Sequence, residues 1–174
     1  MTSERKPKLK IKQAKGRIWV SLMSSERILV VDDELFVREL LLEFLSTQGY
    51  EVSLADSGEK AVELMQTQPA DVVLVDLKMP GIDGIETLKQ IKKIAPDVLA
   101  IIMTGYPTIE SSIEALRRGA YDYVIKPFKL NDLKSSIEKA LQEHKLKVDI
   151  SQLKGRIAQL ETELEKFSSP QKKT

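Results

Sequence analysis

Three carboxylates, one hydroxyl and one ammonium stand at the ends of short aliphatic runs in this 174-residue chain. Arg27–Val31 runs into Asp32 and Asp33, and residues 72–75 run into Asp76. Residues 98–103 end at Thr104, and residues 123–125 end at Lys126, ahead of Pro127. A fifth run, Glu51–Ala55, has no such terminus. In an open parallel sheet, ligands bind outside the carboxyl ends of the strands, where the strand order reverses. If the runs are parallel strands, all these groups converge on one crevice. Adjacent carboxylates in a crevice repel one another, and a hard divalent cation with oxygen ligands, Mg2+, relieves the conflict. Asp76 then offers a carboxylate oxygen to phosphorus as a nucleophile. Phosphoryl transfer asks mainly for alignment and for neutralisation of the equatorial oxygens. Mg2+ can take one oxygen, Lys126 a second, and the Thr104 hydroxyl with backbone N–H groups the third. The product is an aspartyl phosphate. Each signal alone has a plain structural alternative: Asp32 or Asp33 as a helix N-cap, Thr104-Gly105 as turn chemistry, Lys126-Pro127 as a solvated loop. All of them at the right strand ends favour the site.

The elements that must position these groups alternate along the chain. Leu35–Thr47 places Phe36, Leu40, Leu41, Phe44 and Leu45 at helical spacing. Gly58–Thr67, residues 85–94 and residues 108–118 carry similar stripes, the last closed by Gly119 as a left-handed cap. A final helix starts at Leu130. The strands are continuously apolar, the pattern of a parallel sheet covered on both faces. The expected fold is therefore α/β, a doubly wound five-stranded parallel sheet in flavodoxin-like order 2-1-3-4-5. Its switch point falls between the strands ending at Asp32-Asp33 and at Asp76.

With 42% hydrophobic and 30% charged residues, the composition calls for a packed core. Zero cysteines rule out disulfides and thiolate metal sites and suit a reducing cytoplasm. His144, the single histidine, rules out a His-rich metal centre or a histidine triad and reads as solvated or at a dimer edge. No apolar run is long enough to span a membrane. Net charge is +1, yet residues 1–22 carry about +6, leaving about −5 elsewhere. Residues 1–25 read as a disordered basic leader, or as an extension upstream of a start at Met23. A nucleic-acid or anionic-lipid arm is the sharper alternative, but no aromatic interleaving supports it.

The last helix continues past the domain. Leu146, Ile150, Leu153, Ile157, Leu160, Leu164 and Phe167 follow alternating spacings of four and three. Ile150, Ile157 and Leu164 fall at a and Leu153, Leu160 and Phe167 at d, the pattern of a parallel dimeric coiled coil. Asp149 then faces Lys154 and Arg156 faces Glu161 across the pair, both attractive. Four segments follow: a leader (1–25), a doubly wound α/β domain (26–145), a coiled-coil dimerisation helix (146–168) and a disordered tail (169–174).

Residues 28–33 (Ile-Leu-Val-Val-Asp-Asp), 75–84 (Val-Asp-Leu-Lys-Met-Pro-Gly-Ile-Asp-Gly), Met103-Thr104-Gly105 and 119–128 (Gly-Ala-Tyr-Asp-Tyr-Val-Ile-Lys-Pro-Phe) resemble the receiver domains of two-component response regulators. The resemblance covers about residues 26–145 and is closest in look to the nitrogen-regulation class of transcription activators. It implies that a histidine kinase or phosphotransfer protein donates phosphate to Asp76. It also implies that Asp33 and Asp76 ligate Mg2+ directly, Asp32 through water, and Lys78 through its backbone carbonyl. Lys126 and Thr104 would contact the phosphoryl group, and the Lys126–Pro127 bond would be cis. Thr104 and Tyr123 would form the switch, reshaping the surface of the fourth helix, fifth strand and fifth helix as a population shift. Lys78 and Tyr106 would flank the path of an attacking water.

The sequence holds no nucleotide-binding loop and no helix-turn-helix. Either an output module lies outside it, or the regulator signals through protein contacts alone; direct DNA binding is not expected. A Mg2+-dependent aspartyl-phosphate hydrolase would want a second acid two residues after the nucleophile, where Lys78 stands. The chain is thus expected to catalyse only its own phosphorylation and dephosphorylation. The remaining alternative is a receiver-like coiled-coil scaffold without phosphotransfer.

Overall fold

Five aliphatic segments form one parallel sheet, as runs without polar alternation must when both faces are covered. The computed structural model describes residues 9–14, 17–22 and 26–168, with side chains over 26–164. After an N-terminal pair, β1 (Leu9–Ala14) and β2 (Arg17–Leu22), come β3 (Arg27–Val31), β4 (Glu51–Ala55), β5 (Val72–Asp76), β6 (Leu99–Thr104) and β7 (Asp122–Ile125). The sheet order is β4-β3-β5-β6-β7, the 2-1-3-4-5 order read from the sequence. Ile28 pairs with Val52 on one side and Val72 on the other, Val75 with Ile102, and Thr104 with Ile125. This register brings the carboxyl ends of β3, β5, β6 and β7 to one edge.

Successive strand residues face opposite layers, and each layer is filled by helices with matching stripes. Helices α1 (Leu35–Thr47) and α5 (Leu130–Ser168) cover one face, where Leu41, Leu45, Leu133 and Ile137 pack on Ile28, Val30, Leu74 and Met103. Helices α2 (Gly58–Thr67), α3 (Gly84–Ile94) and α4 (Ile109–Arg117) cover the other, with Ala61, Met65, Leu88, Ile91 and Ala115 against Val31, Val73, Val75 and Ile102. Each fully buried Val, Leu, Ile or Met side chain among these stabilises the fold by roughly 1.5–3 kcal/mol. The three helices of the second layer start on side-chain caps: Ser57 accepts from Lys60 N–H, Asp83 from Glu86 N–H, and Thr108 from Ser111 N–H. Gly119, with φ +88°, closes α4 as expected.

Helix α5 runs unbroken for 39 residues. Its first turns are anchored by the buried Leu133, Ile137 and Ala140, and by the Ser136 hydroxyl donating to the Asp122 carboxylate on β7. From Leu146 onward the apolar stripe is exposed, Leu153 at 64% and Leu164 at 67%. Among the described residues no helix is long and apolar enough to cross a membrane.

Residues 1–25 read as disordered, yet β1 and β2 form an antiparallel pair, Leu9 opposite Leu22 and Ala14 opposite Arg17. Leu9 and Ile11 in one segment, and Ile18, Val20 and Leu22 in the other, alternate with neighbours at the period of a strand. Two residues, Lys15 and Gly16, separate the segments, a common hairpin spacing. The excess of positive charge obscured that pattern. The rest of the leader and the expected tail, 169–174, lie outside the described residues, as does the side chain of Phe167.

Candidate functional site

The chain leaves β3, adds β4 on one side, and returns to add β5 on the other. The crevice therefore opens between the carboxyl ends of β3 and β5. Asp32, directly after β3, is fully buried, and Asp76, the last residue of β5, is nearly so. Lys126, just past β7, places Nζ 2.7 Å from Asp32 Oδ2 and 2.7 Å from Asp76 Oδ1. Each carboxylate spends its other oxygen on a backbone N–H: Asp32 Oδ1 accepts from Glu34 at 3.0 Å, and Asp76 Oδ2 from Lys78 at 2.7 Å. The N-cap of α1 is Glu34, without a side-chain cap bond. The acidic pair is therefore not consumed as a helix cap, which removes the plain reading of Asp32 and Asp33.

Two anions and one cation share this pocket. Burial penalises the Asp76 carboxylate more than Lys126 relieves it, and its pKa lies above the ordinary 3.8. Burial also works against the Lys126 ammonium, but hydrogen bonds and charges from Asp32 and Asp76 outweigh it, holding its pKa above 10.5.

Thr104, at the end of β6, is fully buried, and its Oγ1 accepts from Tyr106 N–H at 3.1 Å. The Lys126 N–H donates to Thr104 O at 2.7 Å, tying the hydroxyl-bearing strand to the ammonium. The Lys126–Pro127 bond is cis. Tyr123 is half-buried against the second core layer, its hydroxyl 2.8 Å from Ser111 Oγ. The side chains of Asp33, Lys78 and Tyr106 are exposed. Among the described residues no three His, Asp or Glu side chains stand close enough together to hold a metal ion. Asp32 and Asp76 meet through Lys126, while Asp33 stays at the rim.

A sequence model of the response regulator receiver domain matches residues 28–138, more than half of the chain. This chain belongs to that family. The receiver is 43% identical over 127 residues to the regulatory protein AtoC of Escherichia coli K12, a match covering 73% of this chain and 28% of that relative. It therefore spans little more than a quarter of that curated relative. Among solved structures, a CheY-like receiver domain protein from Methanospirillum hungatei is similar, with TM-score 0.70 and 31% identity over 71% of this chain and 99% of that one. The response regulator TrrA from Thermotoga maritima, solved in complex with Mg(2+)-BeF, gives TM-score 0.61 and 39% identity over 66% of this chain and 98% of its own.

Sequence reasoning missed several residues that position the receiver's site. Arg38 on α1 donates from Nη1 to the Asp32 backbone carbonyl at 2.6 Å, fixing the turn that carries both acids. Glu59 on α2 accepts from Ile82 N–H at 3.1 Å, bracing the loop after Asp76. At Gly84 a Cβ would lie 2.3 Å from Asp76 O, so the first turn of α3 presses directly on the end of β5. A glycine immediately after an N-capping aspartate was the one available signal. A half-open cavity of about 300 Å³ lies elsewhere, lined by Arg27, Asp71, Asp97, Leu141 and His144 among others, and shares no residue with the crevice.

Proposed function

We propose that this receiver accepts one phosphoryl group on Asp76 from a histidine kinase or phosphotransfer protein, with Mg2+ beside it. It then signals to a protein partner through the face made of α4, β7 and α5. The observation that carries this reading is the double ion pair: one ammonium bridging two buried carboxylates, one of which ends a strand at the switch point. Two buried carboxylates against one ammonium leave negative charge uncompensated, and the donor set is all oxygen, which fits a hard dication. The similarity to a receiver solved with Mg(2+)-BeF supports the same choice. Asp32, Asp76 and the Lys78 carbonyl would hold it, with Asp33 turning in from the rim to complete the set. There it would supply charge neutralisation of the phosphoryl oxygens.

The chain's own residues do the rest. An Asp76 carboxylate oxygen forms the new bond to phosphorus as the bond from phosphorus to the donor nitrogen breaks, its electron pair leaving with the imidazole. Lys126 moves its hydrogen bond from the carboxylate to a phosphoryl oxygen. The Thr104 hydroxyl, released from Tyr106 N–H, donates to another, and Tyr123 turns into the space it leaves. The chain performs this on itself and turns over no substrate, since Lys78 stands where a hydrolase would place its acid. Leu35, Phe36 and Leu40 are exposed on α1 beside the crevice, Phe36 at 74%, an apolar landing for a helical donor. The test is intact-protein mass after incubation with acetyl phosphate and Mg2+. One phosphoryl adduct forms on the parent and none on Asp76→Ala; an adduct of equal yield on both would defeat the assignment.

The receiver pairs through α5. An exposed apolar stripe with a 3.5-residue period suits a second copy of the same helix, and the charges beside it match across a parallel pair. Leu153→Asp with Leu160→Asp places charge at two d positions and should weaken the dimer roughly a hundredfold or more. Light scattering over a concentration series would read this, and an unchanged molar mass would reject the helix as the interface.

A further inference from the structure

Ser111 serves two structures with one hydroxyl. It occupies the third position of α4 and completes a reciprocal cap: Ser111 N–H donates to Thr108 Oγ1 at 3.0 Å, and Thr108 N–H donates to Ser111 Oγ at 3.2 Å. The same Oγ lies 3.0 Å from Thr108 O, 3.0 Å from Thr108 Oγ1, and 2.8 Å from the Tyr123 hydroxyl on β7. A hydroxyl has one proton and two acceptor sites. Donation to Thr108 O leaves Ser111 Oγ to accept from Tyr123 O–H at one site, with Thr108 N–H and Thr108 O–H sharing the other.

Little else fastens this helix. Ala115 is the buried residue of α4, while Ile109, Ile113 and Leu116 are exposed. The Tyr123–Ser111 hydrogen bond is thus a polar tie between the start of α4 and the strand that leads to Lys126. A ring that turns toward Thr104 takes its hydroxyl away from Ser111. The cap of α4 then loses a partner of its shared hydroxyl in the same movement.

We propose that Ser111 is a positioning residue that latches Tyr123 to the first turn of α4 and sets how readily the α4–β7 face rearranges. This rests on the switch role of Tyr123 in the phosphoacceptor reading and deepens it. The latch belongs to the state described here, so removing it shifts the population toward the rearranged state.

The experiment uses the full chain with ring-labelled tyrosine, the variants Ser111→Ala and Tyr123→Phe, and their combination. Two quantities are read: the Tyr123 ring resonance without any phosphoryl donor, and the affinity for beryllofluoride with Mg2+. Ser111→Ala is expected to move the Tyr123 resonance and to tighten beryllofluoride binding by roughly threefold to tenfold, the weight of one net hydrogen bond. Tyr123→Phe, which leaves the α4 cap intact, is expected to tighten binding by a similar factor, with no further gain in the double variant. The proposal is overturned if Ser111→Ala only lowers the melting temperature, leaving the resonance and the affinity at parental values. Independent, additive effects of the two variants would overturn it as well. A parent chain that takes up no beryllofluoride would count against the phosphoacceptor reading instead, and the ring resonance would then decide the latch alone: moved by Ser111→Ala it stands, unmoved it fails.

Discussion

Lys126→Met destabilises the folded receiver by about 2–4 kcal/mol at neutral pH, toward the lower part of the range for breaking a buried ion pair from one side. The side chain keeps 16% of its exposure, so some water softens the loss, but Asp32 at 0% and Asp76 at 8% are left as two facing anions. The pH dependence has a definite sign at both ends. In the variant, protonating Asp76, whose pKa is already raised by burial in the parent, relieves the repulsion, so the folded state binds more protons than the unfolded one. Its stability therefore rises as pH falls toward the carboxylate range, and the gap to the parent narrows. The parent keeps the Lys126 contribution fully below the unfolded value of 10.5 and loses it as pH rises through the higher folded value. The gap closes there too. Urea titrations across pH check this, and a variant as stable as the parent at neutral pH would show that the ammonium does not hold the two acids together. Added Mg2+ should recover part of the variant's stability, because a dication can take over the neutralising role.

Gly84→Ala is expected to be the most damaging single methyl group in the site. The new Cβ would stand 2.3 Å from Asp76 O and 2.9 Å from Leu77 Cα, both backbone atoms that cannot rotate aside. Overpacking of this kind costs about 1–3 kcal/mol. It also moves the end of β5, so phosphorylation by acetyl phosphate should slow by roughly tenfold to a hundredfold, since small misplacements are expensive in in-line transfer. Gly155→Ala is the matched control. Nothing lies within 4 Å of a Cβ there, and alanine in a helix interior favours folding by about 0.5–1 kcal/mol. If both variants phosphorylate at the parental rate, pressure of α3 on the acceptor strand plays no part.

The strand ends were readable because fully buried parallel strands leave continuous aliphatic runs, and each such run stops on the residue it delivers. That one property marks Asp32, Asp76, Thr104 and Lys126 as strand-end residues. Lys126 as a bridge between two carboxylates was not readable, because it depends on strand order together with the reach of a four-carbon chain. Arg38 and Ser111 stayed hidden for another reason: each acts through a bond to an atom that sequence does not mark, a backbone carbonyl in one case and a shared hydroxyl in the other. At the N-terminus the strand alternation is masked by basic residues interleaved with the apolar ones.

The continuity of α5 would turn a local event into a mechanical one. Its root is pinned beside Tyr123, through Ser136 and Asp122, while its far portion leaves the sheet behind. At 1.5 Å per residue, the 28 residues beyond Ala140 make a rod of about 42 Å. A tilt of about ten degrees at the root sweeps the tip through roughly 7 Å by the same geometry. A displacement of β7 too small to alter the fold would thus be geared up into a change of spacing that a partner at the far end can feel.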